Sequence, residues 1–198
     1  MGKAYANRKQ ETDRPEGDFY ATPKSLVWVA EDIIRREFSK DIPILEPCSG
    51  GGAISDELSK LGYTVATNDL FRGGKCYIAE PFTERYVITN PPFSLWDSFV
   101  TKAKSHAEKV MMIGRLNYLG TQSRHMSGIW NNLKAMYCFT RYVDYQTPPR
   151  EDGMFHVGAM ATAWFLWDMN YTGSAELHTL DVQKYAKLGN YNKSQKNS

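Results

Sequence analysis

The sequence predicts an α/β fold, a mostly parallel sheet with helices on both faces. Two observations carry that prediction. Short runs of β-branched and aromatic residues alternate with stretches whose apolar residues recur at three-and-four spacing, the strand-helix order that builds a parallel sheet. A glycine-rich turn, Pro47-Cys48-Ser49-Gly50-Gly51-Gly52, joins the first such run to a helix, as in the first half of a nucleotide-binding unit. Glu46, Asp69 and Asn90 each stand at the carboxyl end of a strand-like run. Ligands of such sheets sit beyond the strands' carboxyl ends where the strand order switches, so one fold gathers all three around one crevice.

The elements follow in order. Residues 1–17 are polar, carry Lys3, Arg8, Lys9 and Arg14, and show no periodicity, which suits a flexible arm. Residues 18–185 form the folded domain, and residues 186–198, rich in Lys, Asn and Ser, a disordered tail. The domain opens with Asp18-Phe19-Tyr20-Ala21-Thr22-Pro23, in which Thr22 is placed to cap a helix and Pro23 to start it. Leu26, Val29, Ala30, Ile33, Ile34 and Phe38 then give that helix one apolar face. Residues 42–46 are the first strand. A helix over residues 53–61, with Ile54, Leu58 and Leu61 inward, is closed by Gly62. Residues 63–67 are the second strand, and a Gly-Gly turn precedes a short strand near residues 76–78. Tyr86-Val87-Ile88 reads as a buried strand. Ser94 can cap a helix bearing Trp96, Phe99, Val100 and Ala103 on one side, and residues 109–113 form the fifth strand. A loop then leads into a helix reaching Trp130. Two further strands, about residues 135–140 and 162–167, bracket an irregular segment over residues 144–157, a length of loop that is usually functional or mobile. Trp164 and Trp167 read as core packing and His156 as structural.

Length and composition set bounds. A chain of 198 residues fits one domain with a real core. Hydrophobic residues at 42% and charged residues at 23% are ordinary for a globular protein. A net charge of +2 excludes a strongly basic nucleic-acid footprint, though it permits a polyanion partner. The cysteines Cys48, Cys76 and Cys138 are odd in number and lack metal-ligand spacing, which predicts free thiols in a reducing cytoplasm. No signal-peptide pattern opens the chain, and the longest apolar run, residues 159–167, is too short to span a bilayer. No membrane partner is expected.

The chemistry concentrates in Thr89-Asn90-Pro91-Pro92-Phe93. Each proline pushes the residue before it into extended backbone and lacks an N–H, which leaves a stiff corner rich in carbonyl acceptors. The Asn90 amide projects beside those acceptors and the Phe93 ring lies just beyond. Such a corner can grip a flat ring bearing an exocyclic NH2 group: two acceptors on the amino hydrogens favour a tetrahedral nitrogen and free its lone pair, while Phe93 stacks on the ring. Alone, the motif is equally well a strand-ending turn. The glycine turn has no Gly-Lys-Ser/Thr, so a phosphate-cradling loop is excluded, and Glu46 beside it suits a cationic or zwitterionic ligand. Asp69 lies roughly twenty residues past the glycines, where such folds place the carboxylate that takes ribose hydroxyls. Arg115, Asn117, Tyr118, Gln122 and Arg124 interleave cations, amides and an aromatic, as on a nucleic-acid-facing rim or an ordinary surface loop, and Arg150 adds a cation to the second loop.

Taken together, these motifs resemble the S-adenosylmethionine-dependent amino-methyltransferases, specifically the N6-adenine DNA type. Asp18-Phe19-Tyr20-Ala21-Thr22-Pro23 is similar to the family's cofactor-covering segment, Glu46-Pro47-Cys48-Ser49-Gly50-Gly51-Gly52 to its cofactor loop, and Asn90-Pro91-Pro92-Phe93 to its catalytic tetrapeptide. The stretch from Arg115 to Arg124 is similar to one in small phage-type members. The resemblance covers roughly residues 18–168 and rests on three specific motifs. It implies a Rossmann-like class I methyltransferase fold with a mostly parallel seven-stranded sheet, and S-adenosylmethionine as cofactor. It also implies catalytic roles for Asn90, Pro91, Pro92 and Phe93. Phe19, Tyr20, Thr22, Pro23, Glu46, Pro47, Cys48, Gly50, Asn68, Asp69 and Asn90 would contact the cofactor, with Tyr20 and Thr22 closing over its methionine end. Neither a metal nor a covalent enzyme intermediate is needed. Asn at position 90, where the cytosine-N4 branch usually has Ser, tilts the target towards adenine, and DNA is the expected partner. The family's large recognition domain is missing, so specificity falls to the loops over residues 115–130 and 144–157. RNA methylation at guanine N2 or adenine N6, protein-glutamine methylation, and a catalytically silent binding relative are the alternatives.

Overall fold

The computed structural model describes residues 21–145 and 147–182. The expected arm and tail, and with them Phe19 and Tyr20, lie outside the described residues. The elements are α1 (Ser25–Trp28), α2 (Glu31–Glu37), β1 (Ile44–Glu46), α3 (Ala53–Lys60), β2 (Val65–Thr67), β3 (Tyr86–Thr89), α4 (Trp96–Lys104), β4 (Lys109–Arg115), α5 (Gln122–Met126), β5 (Leu133–Phe139), β6 (Val143–Asp144), β7 (His156–Val157), β8 (Thr162–Asp168) and β9 (Glu176–Leu180).

Among the described residues seven strands form one sheet in the order β2-β1-β3-β4-β8-β5-β9, and β6 and β7 form a separate pair. Strands β2, β1, β3 and β4 are mutually parallel. Strand β8 runs antiparallel to both neighbours, β4 and β5, while β9 is parallel to β5. Because side chains alternate along a strand, the sheet sends Ile44, Ile88, Met111, Ile113, Trp164 and Leu166 to one face, where Leu26, Ile34, Ile54 and Leu58 of α1–α3 cover them. Leu45, Val87, Val110, Met112, Phe165 and Trp167 take the other face, under Trp96, Phe99 and Val100 of α4. All are buried. Three indoles locked in this core each donate to a carbonyl: Trp96 to Ile113 at 2.9 Å, Trp164 to Leu26 at 2.8 Å and Trp167 to Ile129 at 2.9 Å. Trp164 and Trp167 are therefore packing residues, as expected.

The structure corrects five expectations. The first helix is two helices, since the Ala30 N–H bonds to Val27 O, one residue short of helical register, and the chain restarts at Glu31. Thr22 does not cap α1; Lys24 does, without a side-chain hydrogen bond. Nor does Ser94 cap α4, whose N-cap is Leu95 after a 3-10 turn, Phe93–Leu95. Residues 76–78 are not a strand, because the N–H groups of Ala79 and Glu80 both return to Cys76 O and close a turn there. The helix after β4 stops at Met126 and does not reach Trp130. The seventh strand of the sheet is instead β9, and the irregular segment carries the β6–β7 pair. No helix among the described residues is long and apolar enough to cross a membrane.

Candidate active site

The strand order turns back at β1, whose neighbours β2 and β3 leave on opposite sides. Beyond the carboxyl ends of these three strands lies a cavity of about 550 Å³, lined by Thr22, Glu46, Pro47, Cys48, Asp69, Asn90, Pro91 and Pro92 among others. The convergence of Glu46, Asp69 and Asn90 on one crevice holds.

The glycine turn is fixed from both sides. Gly50 and Gly52 take left-handed backbone, with φ of 48° and 81°. The Gly50 N–H donates to Asp69 Oδ2 at 2.8 Å and the Phe71 N–H to Asp69 Oδ1 at 3.0 Å, so one carboxylate ties the turn after β1 to the turn after β2. Each oxygen accepts one such bond and keeps a lone pair for a ligand hydroxyl. Asn68 does not line the cavity. Its amide donates to Lys75 O and accepts from Lys75 N–H, both at 2.9 Å, and so staples the loop that presents Asp69. Glu46 is 2% exposed and accepts from Ser55 N–H at 2.8 Å. Burial pushes its carboxyl up to about 8, the nearby charges of Asp56 and Asp69 add to that, and the Ser55 hydrogen bonds oppose it. Burial likewise pushes the Cys48 thiol up.

At the Asn90-Pro91-Pro92-Phe93 corner the Asn90 amide donates from Nδ2 to Thr22 Oγ1 at 3.1 Å. Its Oδ1 is buried and has no hydrogen-bond partner. An unpaired buried acceptor is costly, and here it belongs to a residue lining the cavity. Phe93 does not line that cavity. Its ring packs edge-on against Tyr145 at 5.4 Å and carries the Arg115 guanidinium at 5.0 Å, while its carbonyl accepts from the Tyr118 hydroxyl at 3.0 Å. Pro23 is buried at the start of α1, where its carbonyl accepts from Leu26 N–H at 3.0 Å.

The residues expected to face substrate do not form one surface. Tyr118 is buried beside Trp96 at 4.9 Å and has no free face, since Arg124 covers its ring at 4.1 Å. Arg124 also binds Asp97 at 2.6 Å, and Arg150 binds Asp152 at 2.7 Å. Gln122 is exposed at the start of α5. Arg115 and Asn117 border a second cavity, of about 430 Å³. The sequence reading missed the apolar rim of the first cavity, where Leu70, Phe71, Ile78 and Leu95 are exposed. A Leu-Phe pair placed directly after an acid in a polar loop was the available signal.

This architecture, a seven-stranded, mostly parallel sheet with an antiparallel β8 and flanking helices, is the Rossmann-like class I methyltransferase fold. No protein-family model matches the chain, and no curated protein sequence matches it. Solved structures do. The fold is similar to that of a Pyrococcus horikoshii protein assigned as an RNA methyltransferase, with a TM-score of 0.53 at 14% identity over 81% of this chain and 91% of that one. A Listeria monocytogenes protein assigned as a class I S-adenosylmethionine-dependent methyltransferase gives 0.55 at 13% identity over 84% and 69%. A Plasmodium falciparum dimethyladenosine transferase gives 0.50 at 12% identity over 75% and 63%.

Proposed function

We propose that the protein transfers a methyl group from S-adenosylmethionine to the N6 amino group of adenine in nucleic acid, with DNA as the first substrate to test. The observation that carries this reading is the buried, unpartnered Asn90 Oδ1 in a cavity at the carboxyl ends of β1–β3. The cavity fits the cofactor. Its volume lies within the roughly 300–1,000 Å³ of small-molecule sites. Asp69 keeps acceptor capacity for ribose hydroxyls, and Leu70 and Phe71 offer apolar cover for a purine. When bound, S-adenosylmethionine supplies a methyl group on a sulfonium, already activated for in-line displacement.

The chain's own residues do the rest. Asn90 Oδ1 and the Pro91 carbonyl accept hydrogen bonds from the amino group of a flipped adenine, which turns the nitrogen's lone pair out of the ring; as the N–CH3 bond forms and the S–CH3 bond breaks, the nitrogen sheds one proton to water. Thr22 holds the amide so that its oxygen, not its nitrogen, meets the substrate. No side chain of this corner ionises, so the acceleration comes from positioning and from hydrogen bonds that strengthen as the nitrogen becomes tetrahedral. RNA is the second reading, favoured by the names of the Pyrococcus and Plasmodium proteins, an RNA methyltransferase and a dimethyladenosine transferase.

The test is transfer of labelled methyl groups to unmethylated DNA and, in parallel, to RNA, with the products digested to nucleosides and identified by mass spectrometry. N6-methyladenine is expected in DNA; label confined to RNA moves the substrate, and label in neither removes the reading. Asn90→Ala is expected to abolish turnover while leaving cofactor affinity within a few-fold by calorimetry. Undiminished turnover in that variant would sink the mechanism.

A further inference from the structure

The loop over residues 147–155 is docked on the segment that carries Thr22. Its tip closes on itself: the Gly153 N–H donates to Arg150 O at 2.9 Å, the Arg150 N–H to Met154 O at 2.9 Å and the Met154 N–H to Asp152 Oδ1 at 3.1 Å. Arg150 and Asp152 pair across the same turn at 2.7 Å. Phe155 is buried in the core that holds Leu26 and Tyr145, which anchors the loop from within. At the tip the Gly153 carbonyl accepts from the Ser25 N–H at 3.0 Å. Gly153 is itself buried, in left-handed backbone with a φ of 78°, and a methyl group there would lie 2.7 Å from the Trp28 ring. That ring is held from its other end, since the Trp28 indole donates to Glu57 Oε2 of α3 at 2.7 Å. Gly73 shares the left-handed backbone, with a φ of 81°, but a methyl group there would meet nothing within 4 Å. Backbone shape alone therefore explains Gly73, while Gly153 also has to let the loop come close.

We propose that Gly153 is a positioning residue for Asn90, acting through Ser25 and Thr22. The inference rests on the methyltransferase reading and adds to it a residue that lines neither cavity. Between Ser25 and Thr22 the chain has little slack. Pro23 has a fixed φ, and its carbonyl accepts from the Leu26 N–H at 3.0 Å, so the chain turns directly from Thr22 into α1. Thr22 is 8% exposed, and its hydroxyl accepts from Asn90 Nδ2 at 3.1 Å. A displacement of Ser25 reaches Asn90 through one turn of backbone and one hydrogen bond. A side chain at position 153 has to push the tip off Trp28, and the tip takes Ser25 with it. Misplacing a reacting group by about 1 Å can cost up to a hundredfold in rate, so a contact this far from the chemistry can govern turnover.

The experiment is a double-mutant cycle between Gly153→Ala and Thr22→Val, which deletes the acceptor for Asn90. It is read as kcat for label transfer to synthetic DNA and RNA oligonucleotides carrying one adenine, with cofactor dissociation constants from calorimetry. Gly153→Ala is expected to lower kcat by about fivefold to tenfold, no more than loss of the Thr22 hydrogen bond itself, and to leave cofactor affinity within about twofold. In the Thr22→Val background, where that bond is already gone, the same change is expected to lower kcat by less than about twofold. Urea unfolding shows which variants fold. Gly153→Asn carries the same cycle should Gly153→Ala not fold, because Asn tolerates left-handed backbone and still brings a side chain against Trp28. Undiminished kcat in the folded variant, an equal loss in both backgrounds, or a loss confined to cofactor affinity overturns the inference and leaves the methyltransferase reading standing. Failure of both variants to fold overturns it too, since Gly153 would then serve the fold and not the site. Transfer by the wild type to no oligonucleotide overturns both.

Discussion

At the residue scale, the Asn90 amide proposed for catalysis is not self-sufficient. Asn90 can present either its oxygen or its NH2 group to the cavity, and only the oxygen accepts a substrate hydrogen. In the structure Asn90 Nδ2 donates to Thr22 Oγ1 at 3.1 Å, which leaves Oδ1 for a substrate hydrogen so long as the hydroxyl directs its own hydrogen elsewhere. Thr22→Val keeps the shape and removes the acceptor. It is expected to lower kcat by about tenfold, the cost of one lost hydrogen bond, while the cofactor dissociation constant moves little. Thr22→Ser should restore kcat. An equal loss of kcat in both variants, or a loss confined to cofactor affinity, would make Thr22 a wall of the cavity and no more. Sequence reading placed Thr22 near the cofactor but could not foresee this contact. It spans 68 residues of chain, and no local pattern encodes it.

At the scale of elements, what was legible depended on burial. Strands β3, β4 and β8 have almost every residue buried, so their apolar runs announce them. Strand β9 carries only exposed or half-buried residues and owes its existence to parallel pairing with β5, some forty residues earlier along the chain. Its own sequence holds no periodic signal. The break between α1 and α2 was hidden for the opposite reason, since apolar spacing continues through Val29 and Ala30. The turn from Asn68 to Lys75 was legible as a Gly-Gly turn but not as a clamp. A methyl group on Gly74 would lie 2.6 Å from Asn68 Oδ1 and 2.7 Å from Asp69 O, so no side chain fits without moving the residue that offers its carboxylate to the cavity. Gly74→Ala is expected to weaken cofactor binding by about tenfold, roughly 1.4 kcal/mol, as Asp69 loses its preset position. Gly120→Ala, where an added methyl group meets nothing within 4 Å, is the control. Equal cofactor affinities in the two variants would deny the clamp.

At the scale of the whole molecule, two buried glutamates act on stability with opposite dependence on pH. Glu37, at the end of α2, binds Lys134 at 2.7 Å and lies 3.7 Å from Lys109, and so joins the helix layer to β4 and β5. Burial alone would raise its carboxyl, but hydrogen bonds from Lys134 and Arg36 and the charge of Lys109 outweigh it and leave the group below its ordinary value. A lowered carboxylate adds stability that is present above its unfolded value and is lost as pH falls through the folded one. Glu46 does the reverse. With its folded value pushed up to about 8 from an ordinary 4.5, the native state holds a proton the unfolded chain has released. Stability therefore falls as pH rises from the ordinary value towards the raised one, by an amount of the order of a few kcal/mol. Together the two give a dome of stability against pH, with each glutamate shaping one side. Glu46→Gln keeps an acceptor for the Ser55 N–H and carries no charge, so it is expected to remove most of the decline between pH 5 and pH 8 in urea unfolding. Glu37→Ala is expected to cost roughly 3 kcal/mol at neutral pH, the scale for breaking a buried ion pair, and less in acid. A parallel downward shift of the whole curve in both variants would show that neither titration governs the stability of the fold. Opposite changes in slope would assign the alkaline side of the dome to Glu46 and the acid side to Glu37.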